Sequence, residues 1–472
     1  MNNAENIKSL VDQVIVGGYC IGCGACAALD NSPISIKLDE YAKLQAVLEP
    51  GLQFLEAKSP VLAVCPFSNE SPDEDEIGKE LYGLQANKHE KLGFAIASYA
   101  GFVSEGTYRK DGSSGGMGTW ILNELLKSGL VDGIIHVKER VKTKDNPLIF
   151  EYAISTTQSE VLKGAKSRYY PIELSEVIRT IKSTPGRYAI VGLPCFIKAI
   201  RLLQKNDSTI ADRIKFCVAL VCGHLKSANF GNMWAWQIGV HPNNVVAINF
   251  RNKLKGYGAN KYGVAVKGDV DGQMVTKESP PLSQLYGADW GWGLFKYKAC
   301  DFCDDVVGET ADLTIGDAWL PQYLHDSEGT NIIVIRNQQL KELVDRANVE
   351  KRLNLEEISF DEVVKSQQAG FLHRREGLAY RLYLTDIQGK WRPIKRVQAS
   401  DSSINDLVKA RQRKRIELAE KSHVAFKKAL AAGEFSVFKQ ELAPAVSDYK
   451  SLYKVPFLNR VINRLKKIAN IK

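Results

Sequence analysis

The tightest constraint on this chain is Cys20-Ile-Gly-Cys23-Gly-Ala-Cys26, three cysteines in seven residues, followed at a distance by Cys65-Pro66. Three thiolates at this spacing wrap one face of an iron–sulfur cube, and the intervening glycines let the backbone curl so that its N–H groups reach the sulfurs. The bacterial ferredoxin run continues with three residues, a fourth cysteine and a proline, and that cysteine serves a different cluster. Here the position is Asp30. One cluster is therefore expected rather than two, with Cys65 as its remote fourth ligand. Structural zinc is the competing reading, but zinc ribbons use two separated C-x2-C knuckles. The spacing favours a [4Fe-4S] cluster on Cys20, Cys23, Cys26 and Cys65.

Five further cysteines follow, an odd total of nine that argues against a disulfide framework. Cys300-Asp-Phe-Cys303 is a C-x2-C knuckle, which alone fits zinc, a redox dithiol or a cluster. Cys195 (GLPC) and Cys222 (VCGH) fall at expected strand-to-loop switches, where side chains converge on a site. These four make a second cluster on spatial grounds; buried structural thiols are the even alternative. Cys217, inside the apolar run FCVALVC, belongs to the core.

The rest of the chain is ordinary for a soluble α/β protein. Hydrophobic residues make up 44% and charged residues 25%. The N-terminus shows no basic region followed by an apolar one, so no signal peptide is expected. No run approaches the roughly 18 uncharged apolar residues of a membrane span. A cytoplasmic location is expected, where thiols stay reduced.

Pattern divides the chain into four regions. Residues 1–90 read as a small ferredoxin-like module, with a hairpin over 34–49 and an acidic stretch, SPDEDEIGKE, as a linker. Residues 91–240 alternate strand and helix: GGMGTWILNELLKSGLV opens a helix on glycines, and RYAIVGLPC and KFCVALVCGH are apolar strands ending in loops. That alternation predicts a largely parallel sheet with its site at the carboxyl ends of the strands. Residues 241–400 are mixed α/β and would complete the site. Residues 401–472 read as a helical tail with 16 basic and 7 acidic residues, so the whole net charge of +9 belongs to it. Its last segment places Phe457, Leu458, Val461, Ile462, Leu465 and Ile468 on one helical face and Arg460, Arg464, Lys466 and Lys467 largely around the other. Such a helix can lie on an anionic membrane surface or simply pack at the terminus.

Nine motifs in order resemble the family of coenzyme F420-reducing hydrogenase/dehydrogenase beta subunits, which includes hydroxymethyl-chlorophyll a reductase. They are CIGCGAC (20–26), SSGGMGTWILNELL (113–126), KGAKSRYY (163–170), VGLPCFIKAIR (191–201), CGH (222–224), INFRNK (248–253), CDFC (300–303), ADLTIGDAW (311–319) and HRREGL (373–378). The resemblance spans roughly residues 15–385 and implies two [4Fe-4S] clusters, the second on Cys195, Cys222, Cys300 and Cys303, together with FAD. The residues agree with the FAD implication. Ser113, Ser114, Gly115 and Gly116 open a helix whose free N–H groups suit a pyrophosphate, although an ordinary helix start looks the same. Lys166, Ser167 and Arg168 add two charges and a hydroxyl suited to phosphate. Asp317 fits a ribose or substrate contact and fits a turn cap equally well.

The function this implies is an oxidoreductase, in which flavin handles electron pairs and each cluster handles single electrons. A ferredoxin-type donor or acceptor, a small organic substrate and a second copy of the chain are the expected partners, and nucleic acid is not among them. The first reading is a self-sufficient flavoprotein acting in polysaccharide biosynthesis, peripheral to the inner face of the membrane. The alternatives are an electron-transfer subunit of a hydrogenase or dehydrogenase complex, and a non-enzymatic zinc-binding protein. His224, His373, Tyr169 and Tyr170 are candidate proton donors; none is assigned as catalytic.

Overall fold

Long apolar runs need cover on both sides, and they build the centre of the molecule. The computed structural model describes residues 3–49, 60–143 and 146–454. Its main sheet has eight strands: β1 (Ala97–Val103), β2 (Gly133–Glu139), β3 (Phe150–Ser155), β4 (Tyr188–Gly192), β5 (Ile214–Leu220), β6 (Leu313–Asp317), β7 (Asn331–Ile335) and β8 (Leu353–Glu357). They lie in the order β8-β1-β7-β6-β5-β4-β2-β3. Successive residues serve opposite faces. Ile134 and Val218 join Trp120 and Leu125 of helix α1 (Met117–Lys127), whereas Ile135 and Cys217 join Ile197 and Ile200 of helix α2 (Pro194–Asn206). A sheet buried on both faces explains why its strands read as continuous rather than alternating apolar runs.

Only the centre of this sheet is parallel. β6, β5, β4 and β2 run together, and every other pairing is antiparallel. The largely parallel sheet expected from strand–helix alternation is thus corrected at both edges. The β2–β3 and β6–β7 connections carry no α-helix, and without a crossover helix the chain returns antiparallel. The four central strands nevertheless end side by side, at Glu139, Gly192, Leu220 and Asp317, and their loops build the site.

The N-terminal hairpin forms as expected, Ile34–Leu38 against Leu44–Leu48. The acidic stretch is not a linker loop. It folds as a helix, Glu74–Tyr82, because Asp73 and Glu76 make a capping box while Ile77 and Tyr82 are buried. Nor does the module hang free. Cys23, Ala27 and Val64 share one apolar core with α2. The Leu174 N–H donates to the Cys23 carbonyl at 2.8 Å, and Lys182 pairs with Asp30 at 2.7 Å.

Residues 245–278 form a separate three-stranded antiparallel sheet before the chain returns to the main sheet at β6. The expected boundary at 240 therefore does not divide the main sheet. Two helices close the described chain, α3 (Asp406–Ala432) and α4 (Phe435–Ser451), turned at Gly433 with φ +70°. Leu418, Phe426 and Phe438 pack on Trp292 and Phe295. The amphipathic segment from Phe457 to Ile468 lies outside the described residues. Among the described residues no helix is long and apolar enough to cross a membrane.

Candidate cofactor site

The first four cysteines converge. Cys20, Cys23, Cys26 and Cys65 line one small apolar pocket with Val14, Ile36 and Phe67. Gly22 holds φ +64°, and a Cβ there would stand 2.3 Å from the Leu44 carbonyl oxygen, so the tight cysteine turn against the hairpin needs glycine. The curl aims backbone donors at sulfur: the N–H groups of Gly22 and Ala46 donate to Cys20 Sγ at 3.3 and 3.4 Å. Burial, with the neighbouring sulfurs adding to it, pushes the thiol of Cys26 far up; burial takes Cys65 to about 12. Left alone these groups stay protonated. A bound metal deprotonates a coordinating thiol outright, so this donor set suits a metal cluster better than it suits a nucleophile.

The second four also meet, although they come from three distant segments. Cys195 lies in the first turn of α2, Cys222 follows β5, Cys300 lies within a short 3-10 turn (Lys298–Phe302), and Cys303 follows that turn directly. Burial raises the Cys195 thiol, and Cys303, Cys222 and Cys300 raise it further, which places the four in one electrostatic neighbourhood. The Leu225 N–H donates to Cys300 Sγ at 3.3 Å, and Arg374 Nη1 donates to Cys303 Sγ at 3.5 Å. Among the described residues, no three or more His, Cys, Asp or Glu side chains are gathered tightly enough to hold a single metal ion. Two tyrosines lie between the sets: Tyr297 within electrostatic reach of Cys20 and Cys300, and Tyr152 within reach of Cys195 and Cys23.

Beside the second set opens a cleft enclosing about 1510 Å³ out to solvent. Its wall includes Cys222, Ser113, Ser114, Gly116, Lys166, Ser167, Arg168 and Asp317. Gly115 is the exception among the expected contacts. At φ +45° it turns away, and a Cβ there would stand 2.1 Å from Asn331 Oδ1. The Ser167 N–H donates to Ser113 Oγ at 2.8 Å, tying the two loops together. Lys166 holds φ +148°, a backbone state uncommon outside glycine. Arg168 is the least satisfied group. Its Nε and Nη1 are buried without a hydrogen-bond partner, and Glu139 lies 3.6 Å from its Nη2. Asp317 accepts from Arg251 Nη1 at 2.6 Å, so it is an ion-paired wall residue and not a free acceptor.

The candidate proton donors separate into two layers. Tyr169, Tyr170 and His224 line the cleft, whereas His373 lies behind, its ring 5.7 Å from that of His224. Burial, then the Lys226 charge, holds the His224 imidazole well below its usual range, and its Nδ1 has no hydrogen-bond partner. Four residues of this site carry no clear signal in the sequence: Arg251, Arg374, Lys226 and His136. Arg251 and Arg374 sit inside INFRNK and HRREGL, where the motif is visible but not the direction of the side chain. Lys226 follows CGH by two residues, and burial, then the Lys296 charge, pulls its amine down to about 7. His136 lies within β2 and bonds Ser155 Oγ at 2.8 Å; an in-strand histidine gives no hint of such a partner.

The central strand ends open on a cleft whose wall includes Cys222, one cysteine of the second set. Family models for the coenzyme F420 hydrogenase/dehydrogenase beta subunit match residues 98–179 (N-terminal part) and 186–360 (C-terminal part), more than half of the chain. The chain belongs to this family of oxidoreductase subunits. Relatives include a coenzyme F420-dependent sulfite reductase of Methanocaldococcus jannaschii, 23% identical over 74% of this chain and 49% of that protein. The chain thus spans about half the length of that relative. A component of the F420H2 dehydrogenase of Methanosarcina mazei is 22% identical over 70% of this chain and 82% of that one. A chain of the F420-reducing [NiFe] hydrogenase complex of Methanosarcina barkeri superposes with a TM-score of 0.49 at 18% identity, covering 65% of this chain and 99% of that one.

Proposed function

We propose that this chain is the electron-transfer component of a larger oxidoreductase, with a [4Fe-4S] cluster on each cysteine set and FAD in the cleft. The observation that carries the reading is Cys222: it belongs to the second four-thiol group and also lines the cleft. The matching family models are named for hydrogenase and dehydrogenase beta subunits, which favours this role over the self-sufficient enzyme of polysaccharide synthesis. Together the clusters and flavin supply exchange between single electrons and electron pairs.

The chain's own residues have defined parts in this scheme. Arg168, with two unpartnered buried nitrogens, and Lys166 offer the cations for a pyrophosphate. Ser113 and Ser167 hold the two loops in register, and Val191, Leu193 and Phe196 give the cleft an apolar wall on the side of Cys222. The two-electron partner proposed from the relatives' names is a deazaflavin of the F420 type. The first cysteine set, which lies farther from the cleft, would serve a ferredoxin-type protein or another protein of the same complex.

Anaerobic purification followed by iron, sulfide and flavin analysis tests this. About eight irons and one FAD per chain are expected. Protein containing zinc and no iron overturns it, and about four irons returns Cys195 and Cys222 to the core.

A further inference from the structure

One side chain spans the ground between the two cysteine sets. Cys20, Cys23, Cys26 and Cys65 pack on the same apolar core as Cys195, Cys300 and Cys303, and Tyr297 belongs to that core, its residue 1% exposed. The backbone of Tyr297 is tied to the second set. Its carbonyl accepts from the Cys300 N–H at 3.1 Å, and its N–H donates to the carbonyl of Leu225 at 3.2 Å. Leu225 is the residue whose own N–H donates to Cys300 Sγ.

The hydroxyl of Tyr297 is tied to the first set. It accepts from the Leu44 N–H at 2.8 Å. The Leu44 carbonyl packs against Gly22 of the cysteine turn, and two residues on, the Ala46 N–H donates to Cys20 Sγ at 3.4 Å. An unbroken run of covalent and hydrogen bonds thus leads from Cys20 Sγ through Ala46, Gln45, Leu44 and the tyrosine ring to Cys300. Burial pushes the pKa of the Tyr297 hydroxyl far up, so the side chain is neutral and brings no charge between the sets. A ring that only filled the core would need no hydroxyl there, yet without one the Leu44 N–H loses its acceptor. Tyr152 spans the other flank, within reach of Cys195 and Cys23, but it also lines the cleft; Tyr297 does not.

We propose that Tyr297 is the bridge between the two sets, a positioning residue that fixes their separation at one side chain and couples the clusters they would hold. The proposal rests on the reading of both sets as cluster sites. Clusters so coupled can hold one electron each, and together they match the pair that a flavin exchanges.

The test is electron paramagnetic resonance of the fully reduced, anaerobically purified holoprotein. The expected spectrum is split by spin–spin interaction and differs from the sum of the Cys65→Ser and Cys222→Ser spectra, each variant keeping one cluster. A spectrum equal to that sum overturns the proposal with Tyr297 untouched. Tyr297→Phe keeps the ring and removes the acceptor for Leu44. With its iron content unchanged, electron exchange between the clusters, followed after pulse radiolysis, is expected to slow at least threefold. An unchanged exchange rate removes Tyr297 as the bridge, because a packing role survives in phenylalanine. Metal analysis of the same preparation separates the two ideas. About eight irons per chain with an additive spectrum removes the bridge alone, whereas protein containing zinc and no iron removes the electron-transfer reading and the bridge with it.

Discussion

The two cysteine sites reach the same donor set by opposite routes. The first is nearly local: three of its ligands lie within seven residues, and a short hairpin supplies the Ala46 donor and the Leu44 carbonyl that pack against the turn. The second is assembled by the fold. It takes one ligand from the start of α2, one from the loop after β5 and two from a turn about 80 residues further on. That turn is clasped by the C-terminal hairpin, where Ser422 Oγ accepts from the Phe295 N–H at 2.8 Å and His423 Nε2 lies 3.1 Å from the Lys296 carbonyl. A local site can be moved between proteins; an assembled one is tied to what stands beside it. Here that is the cleft.

The sharpest way to break this comparison is Cys222→Ser. It is expected to halve the iron content and abolish reduction of any acceptor at the cleft, with the first cluster retained. Loss of all iron would mean that the two sites are not independent. Cys65→Ser is expected to do the converse, removing electron exchange with an external one-electron donor while leaving cleft chemistry intact, as measured by anaerobic stopped-flow absorbance.

The next effects are smaller. His136 is buried neutral on Ser155, and burial holds its pKa down to about 4. The unfolded chain binds the proton more readily, so stability is fully present above about pH 6.5 and falls toward pH 4, by at most about 1.4 kcal/mol per pH unit. Denaturant melts of His136→Gln should show a flatter profile over that window. Arg374→Met removes a cationic donor from Cys303. Since reduction adds negative charge, the second cluster should become harder to reduce, by about 40 mV for a bond of about 1 kcal/mol, with the first unchanged. Asp73→Ala deletes the cap of the helix joining module to body and should cost about 1 kcal/mol in thermal unfolding without touching either site.

The same contrast explains what could be read from the residues alone. Cys20, Cys23 and Cys26 report their geometry through spacing, and the apolar runs at 188–192 and 214–220 mark strands whose ends carry Cys195 and Cys222. What stayed hidden depends on tertiary context. The acidic run at 71–80 looks solvated until the Asp73 and Glu76 cap is recognised, and Glu74 is buried against Lys198 at 3.2 Å. Asp317 reads equally as a ribose or substrate contact or as a turn cap until Arg251 arrives from another sheet and pairs with it. Lys226 resembles any loop lysine; only the aromatic rings around it make it distinctive. The sheet expected to be largely parallel is so only at its centre, because connection type, not strand composition, decides direction.

The central claim is that the assembled cysteine set holds iron and forms part of the cleft wall. Anomalous diffraction at the iron edge from anaerobically grown crystals tests it directly. The expected map has two iron sites, one among Cys20, Cys23, Cys26 and Cys65 and one among Cys195, Cys222, Cys300 and Cys303. Iron at the first set alone, or a zinc-edge signal at the second, would contradict it.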